Sequence, residues 1–229
     1  MPVSCTVYEI DENIDASVLE DELGDTETTR PLAQADSNIE LLTDFDDVEK
    51  DGSAVDAEMR YDIGRRISAR DDESSWVGEM KSRDIRFNEG LFGGCLMIFG
   101  SQGRGAVLGR CIDTINEVFD LDTEPDDYTR KSISSGDITR VVSNDSIQME
   151  EGWWDDIDAN MSSASAQGDL DHSDKAEGII DDGIPVWITF VSRDYSEKLG
   201  LSRKNDTVVF YGDWEISDME NYIEDIVFT

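Results

Sequence analysis

Residues 54–70 read AVDAEMRYDIGRRISAR, and the period assigned to this stretch decides the fold. Val55, Met59, Ile63 and Ile67 recur every four residues, the spacing that lines one face of an amphipathic helix. Ser53 stands just before the stretch and Asp56 three residues on, a capping-box-like start. The expectation is a helix over about 54–70, with most of its arginines off the apolar stripe and free to face solvent or a partner. Upstream, Ile39, Leu42, Phe45 and Val48 fit a further helical stripe. Downstream, Asp84–Phe87 and Cys95–Phe99 read as strands. Leu108, Cys111, Ile112, Ile115 and Phe119 read as another helix, ending before Pro125.

The flanks have a different character. Thr6–Ile10 reads as a short strand or extended arm, and 11–37 as an acidic arm or loop with few large apolar groups. Ile138–Val142 is β-branched and reads as a strand. Residues 143–182 are acidic and rich in Ser, Gly and Ala, with 162–182 reading as a linker. The adjacent Trp153 and Trp154 interrupt that segment and need a pocket, on this chain or on a partner. From Gly183 onward, Val186–Val191 and Thr207–Tyr211 read as strong strands joined by a turn over Asp194–Leu201. Gly212-Asp213 makes another turn, and Trp214–Ile216 resumes the sheet. The expected class is α+β: a helical and mixed central region, a β-rich C-terminal module and an extended acidic N-terminal arm. The expected divisions are 1–52 (arm), 53–150 (central region), 151–182 (loop or linker) and 183–229 (β-rich module).

Charge is the strongest bulk signal. The chain carries 54 acidic and 19 basic residues in 229, a net charge of −35. At ordinary salt so many carboxylates repel and destabilise a compact state. At about 1 M salt the screening length falls to about 3 Å and the repulsion fades. Hydrophobic residues make up 38% of the chain and five are Trp, too apolar for a wholly disordered acidic chain. The composition resembles that of proteins from extreme halophiles that keep molar salt in the cytosol, the haloarchaea above all. That resemblance implies partial unfolding below about 0.5 M KCl. No secretory signal and no apolar run near the ~20 residues of a membrane helix is visible, so a soluble protein without a membrane partner is expected. The odd cysteine count, Cys5, Cys95 and Cys111 without CxxC spacing, argues against disulfides and structural zinc.

The acidity is uneven. Residues 1–59 carry net −16 and residues 111–229 net −21, whereas 60–110 carry net +2. The bases of that middle segment are Arg60, Arg65, Arg66, Arg70, Lys81, Arg83, Arg86, Arg104 and Arg110. Either they pair internally with acids of the flanking regions, or they form a contact surface for an acidic protein or nucleic acid. Arg suits both, since its planar fork pairs carboxylate and phosphate alike. A DNA-binding domain is normally far more basic, so a protein partner is favoured over nucleic acid. The candidate partner-binding residues are Arg60, Arg65, Arg66, Arg70, Arg83, Arg86, Trp153 and Trp154.

No intact catalytic motif is present. Strand 95–99, then Gly100-Ser-Gln-Gly-Arg-Gly105, then a helix follows the strand–loop–helix order of a phosphate cradle. The glycine spacing matches the outline G-x-x-x-x-G-K-S/T, but Ala106 and Val107 occupy the Lys and Ser/Thr positions. Gly100, Gly103, Arg104 and Gly105 therefore remain candidates for anion binding without standard ATP hydrolysis. Asp120-x-Asp122-x-Glu124 and Asp156-x-Asp158-x-Asn160 begin like calcium loops, yet Pro125 and Met161 stand where Gly is required. His172 is the only histidine and falls in the expected linker. Neither a catalytic residue, a metal site nor a cofactor is assigned.

The segment 187–216 resembles small β-barrel segments of head–tail connector proteins of tailed viruses. The residues that carry the likeness are Trp187–Val191, the Leu199-Gly200-Leu201 turn leading to Asp206–Gly212, and Trp214–Ile216. The resemblance implies a non-enzymatic assembly role in a ring or layer, with arms and tryptophans docking on neighbours. The expected function is thus a structural or assembly protein of a haloarchaeal or haloarchaeal-virus system, working as a homo- or hetero-oligomer in a high-salt cytoplasm or a virion. The alternative is a nucleotide- or anion-binding protein using the loop 100–105.

Overall fold

A computed structural model describes the chain except residues 1, 11, 13, 33–38, 69–73, 101–103, 125, 126, 145, 158–160, 169, 171–177, 181 and 229. The side chains of 68, 74, 75, 104, 105 and 226 also lie outside the description. The chain divides into two compact units, one of residues 7–129 and one of residues 1–6 with 130–229. The strands are β1 (Val3–Ile10), β2 (Thr28–Pro31), β3 (Glu40–Asp51), β4 (Ala54–Ser68), β5 (Ser74–Asn88), β6 (Cys95–Phe99) and β7 (Tyr128–Arg130). They continue with β8 (Ile147–Asp155), β9 (Ser163–Gln167), β10 (Ile184–Ser192), β11 (Glu197–Ser202) and β12 (Thr207–Phe210). The helices include α1 (Ala16–Leu23), α2 (Arg104–Phe119), α3 (Ser135–Val142) and α4 (Ile216–Tyr222). The expected α+β class is therefore corrected to a mainly antiparallel β protein with few helices.

In unit 7–129 the strand order is β2-β3-β4-β5-β6, with the second half of β1 beside β6. The four pairs from β2/β3 to β5/β6 are antiparallel. The stretch expected to be a helix is β4, paired with β5 from Ala54↔Asn88 to Ser68↔Ser74. Val55, Ala57, Met59 and Tyr61 are all buried, while Asp56, Glu58 and Arg60 face the other way. A four-residue spacing satisfies a period of two as well as one of 3.6. Ala57 and Tyr61 break the tie, because they fill the alternate odd positions that a helix stripe would leave polar. Gly52, at φ +63°, turns the β3/β4 hairpin between the paired Asp51 and Ala54, so Ser53 lies in a turn rather than at a helix start.

The same substitution of period corrects 39–48. Leu41, Thr43 and Phe45 are the buried set of β3, not the helical set containing Leu42 and Val48. The N-terminal arm is likewise built into the core. Cys5, Val7 and Tyr8 of β1 are buried, as are Ala16, Leu19 and Leu23 of α1. Asp15 caps α1 by accepting from the backbone N–H of Ser17 and Val18. Helix α2 follows the expected stripe and buries Leu108, Cys111, Ile112 and Ile115 against β4, β5 and β6 residues such as Met59, Ile85 and Ile98.

In unit 1–6 with 130–229 the order is β1-β12-β11-β10-β8-β9, and each neighbouring pair is antiparallel. Here the expected strand 138–142 is helix α3. Ser134 accepts from the Asp137 backbone N–H, and the Asp137 carboxylate accepts in return from Ser134, a full capping box. Ile138 and Val141 then fall on one buried face. The segment 151–182, expected to be loop or linker, holds the second half of strand β8 and all of β9. Leu199-Gly200-Leu201 is the centre of β11 rather than a turn, paired with Phe190, Thr189 and Ile188. Trp214 leaves the sheet and packs on Phe210 at 5.1 Å, and α4 starts at Ile216.

Candidate partner-docking surface

Strand alternation separates the two adjacent tryptophans. Successive strand residues point to opposite faces, so Trp154 is 2% exposed and Trp153 is 47% exposed. Trp154 lies across two glycines. A Cβ on Gly152 would come within 2.4 Å of its ring, and one on Gly183 within 2.8 Å of its Cβ. Ile138, Met149 and Ile188 close the apolar surroundings. Trp154 is therefore a core residue, supplied with its pocket by this chain.

Trp153 belongs to a row across the open face of the sheet. It stands opposite Ser165 of β9 on one side and Trp187 of β10 on the other, and Trp187 in turn faces Ser202 of β11. The small Ser165 and Ser202 leave the two indoles standing side by side between them. The Trp153 Nε1–H donates to Asp155 Oδ1 at 2.9 Å, which fixes the ring and leaves its face as the free surface. A register shift between Pro185 and Trp187 places Trp187 opposite Trp153.

The β11/β12 turn completes the surface. Trp153, Asp155, Val186, Trp187, Ser202 and the turn residues Arg203, Lys204 and Asn205 line a concavity of about 760 Å³. Arg203 N–H donates to the Val186 carbonyl at 2.9 Å, holding the turn against β10. The turn's own carboxylate is engaged elsewhere. Asp206 accepts from the Ile133 N–H at 3.0 Å and faces Arg130 at 3.8 Å, while Arg130 also donates to the Asn205 carbonyl. Among the described residues, the guanidinium of Arg203 and the ammonium of Lys204 make no ion pair. Two uncompensated cations beside two indoles are conspicuous on a chain of net charge −35.

The central arginines present the contrary case. Arg60 binds Asp44 at 2.6 Å and Asp46 at 2.9 Å, and the Asp44 hydrogen bond raises its pKa further. Arg65 and Lys81 share Glu79 at 3.1 and 2.5 Å, and their hydrogen bonds hold that carboxyl below the usual range. Arg86 is 3% exposed and meets Asp56 and Asp51. Arg110 is buried over the Tyr61 ring and donates to the carbonyls of Leu42 and Asp62. Arg83 lies against Gly100, and Arg66 is exposed. Arg70 lies outside the described residues. Acids of the same unit thus answer Arg60, Arg65, Lys81 and Arg86, and neither Arg86 nor Trp154 offers surface to a partner.

The strand–loop–helix order at 95–119 is present as β6 and α2. Gly100 takes φ +110°, a conformation that favours glycine. Gly103 lies outside the described residues, and Arg104 and Gly105 open α2. Val107, at the position of the missing hydroxyl, is buried in the core. Among the described residues no group of three or more His, Cys, Asp or Glu is placed to hold a metal. His172 is outside the description. All three cysteines are buried and outside any disulfide, and burial pushes the Cys111 thiol pKa far up. No helix of the described chain is long and apolar enough to cross a membrane.

Of the surface residues, sequence reasoning found Trp153 and missed Trp187, Arg203 and Lys204. Trp187 was readable as a strand residue, but its cross-strand neighbour requires the register. The signal for Arg203 and Lys204 was two adjacent bases in the net −21 segment 111–229. Searches with protein-family models and among curated proteins return no match to this chain.

Proposed function

We propose that this is a non-enzymatic structural or assembly protein of a halophilic system, a haloarchaeal cell or its virus, that binds partner chains through the Trp153–Trp187 face. The observation that carries the reading is the pair of neighbouring indoles, one of them half exposed, rimmed by the unpaired Arg203 and Lys204. Exposed aromatic pairs beside Arg are the composition of interface hot spots. Burying the indoles supplies the binding energy, and the two cations meet carboxylates that an acidic partner brings. Molar salt supports this in two ways. It screens the repulsion between two acidic chains beyond about 3 Å, and it leaves apolar contacts intact. The place of work is a high-salt cytoplasm or a virion.

The test is light scattering after size exclusion in 3 M KCl, on the wild type and on Trp153→Ala. The reading expects a defined oligomer for the wild type and dissociation at least about 30-fold easier for the variant, the scale of a tryptophan hot spot. A wild type that is monomeric at all concentrations, or a variant that assembles unchanged, overturns it.

A further inference from the structure

We infer that the Trp153–Trp187 concavity takes an extended, carboxylate-bearing segment of a partner chain, with apolar side chains on the indoles and acid groups on Arg203 and Lys204. This rests on the partner-docking reading and adds the chemistry of what docks. The two cations are consecutive residues of one turn, at one end of the concavity, and Asp155 stands at the Trp153 end. A groove that follows a polyphosphate backbone needs cations along its length. One cationic end and one acidic end instead suit a segment whose negative charge is local.

The indoles set the second requirement. Trp153 Nε1–H is already spent on Asp155, so Trp153 offers a flat apolar face rather than a donor. Aromatic-lined grooves of this kind take extended, proline-containing segments, which lose little conformational entropy on binding. The volume of about 760 Å³ lies within the range of ligand-sized sites. The turn is held rigid by Arg130, Ile133 and Val186, so the cations are positioned before the partner arrives. The only carboxylate of the turn, Asp206, is engaged by Ile133 and Arg130 and leaves Arg203 and Lys204 for an incoming acid.

The probe is a blocked hexapeptide with two glutamates on each side of a central Ile-Pro pair, titrated into the full chain at 3 M KCl. Binding is read from tryptophan emission and from calorimetry. The expected result is saturable binding that weakens at least about tenfold in Trp153→Ala and at least about threefold in Arg203→Ala/Lys204→Ala. A lysine-for-glutamate version of the peptide should bind at least about tenfold more weakly. Thermal midpoints of both variants within a few degrees of wild type show that the fold is kept, since all three side chains are at least partly exposed. The inference is overturned if the glutamate peptide does not bind, if the lysine version binds equally, or if an oligodeoxythymidylate binds more tightly with the same Trp153 dependence. If the peptide fails while assembly still depends on Trp153, the docking reading stands and this inference falls. If assembly ignores Trp153, both fall.

Discussion

Replacing each of two adjacent tryptophans by alanine separates core from surface within a single strand. Trp154 is 2% exposed and sits on Gly152 and Gly183. Removing an indole of this kind from water involves about 150–250 Å², worth about 4–6 kcal/mol at 25 cal/mol per Å². Partial collapse of the cavity brings the expected cost to about 3–5 kcal/mol. Trp153 keeps nearly half of its surface in water, and its replacement should cost no more than about 1 kcal/mol. The assay is urea unfolding in 3 M KCl, chosen because urea does not alter ionic strength. With a slope of about 2 kcal/mol per M, Trp154→Ala should lower the midpoint by about 1.5–2.5 M and Trp153→Ala by less than about 0.5 M. Equal losses would refute the strand register of β8, and with it the placing of Trp153 on the open face.

Other predictions follow from single contacts. Gly152→Ala puts a methyl group 2.4 Å from the Trp154 ring and should cost about 1–3 kcal/mol by overpacking, read as a lowered urea midpoint. Arg86→Met removes a buried guanidinium from the half-buried Asp56 and the exposed Asp51 and should cost about 1–3 kcal/mol. Most of the loss should persist in 3 M KCl, because Arg86 is buried and its contact with the half-buried Asp56 is little screened, whereas Arg65→Ala at its exposed pair should change the midpoint negligibly. Asp84 faces Glu58 across the β4/β5 ladder, and partial desolvation in the ladder together with the Glu58 charge raises its pKa. The folded state then holds its proton more tightly than the unfolded state, so this group's contribution weakens stability as pH rises through its titration. Asp84→Asn should therefore raise the thermal midpoint near pH 7, more in low KCl than in high, and the gain should vanish below the ordinary aspartate range. For the whole chain, the thermal midpoint should climb with KCl, with partial unfolding below about 0.5 M; a midpoint indifferent to KCl would remove the halophile argument.

What the sequence made legible depended on whether a segment's periodicity had one reading or two. Helix α2 was readable because Leu108, Cys111, Ile112 and Ile115 combine steps of three, one and three, which no strand produces. Strands β10 and β12 were readable because short runs rich in β-branched residues sit between turn residues, and β6 because the unbroken apolar run Cys95–Phe99 precedes a glycine loop. β4 was not, because steps of four are even and fit either period; only Ala57 and Tyr61 distinguish them. In α3 the β-branched residues of 138–142 outweighed the local signal, although Ser134 and Asp137 spelled out a capping box. The acidic arm was misread because composition averages over a strand and a helix whose buried residues are few but well placed, such as Leu19 and Leu23. The proposed docking surface was half legible. A Trp-Trp pair in a strand must send one ring inward and one outward, but which ring does so follows from pairing with β10, and the pairing of β8 with β10 lies some thirty-five residues away in sequence.

Trp153 should be covered when partner chains bind. The direct measurement is acrylamide quenching of Trp153 in 3 M KCl, taken as the difference between wild type and Trp153→Phe, from nanomolar to high micromolar protein with light scattering alongside. The account predicts that quenching of Trp153 falls by at least about half over the concentration range in which the particle mass rises. Particles that grow while Trp153 stays fully quenchable would contradict it.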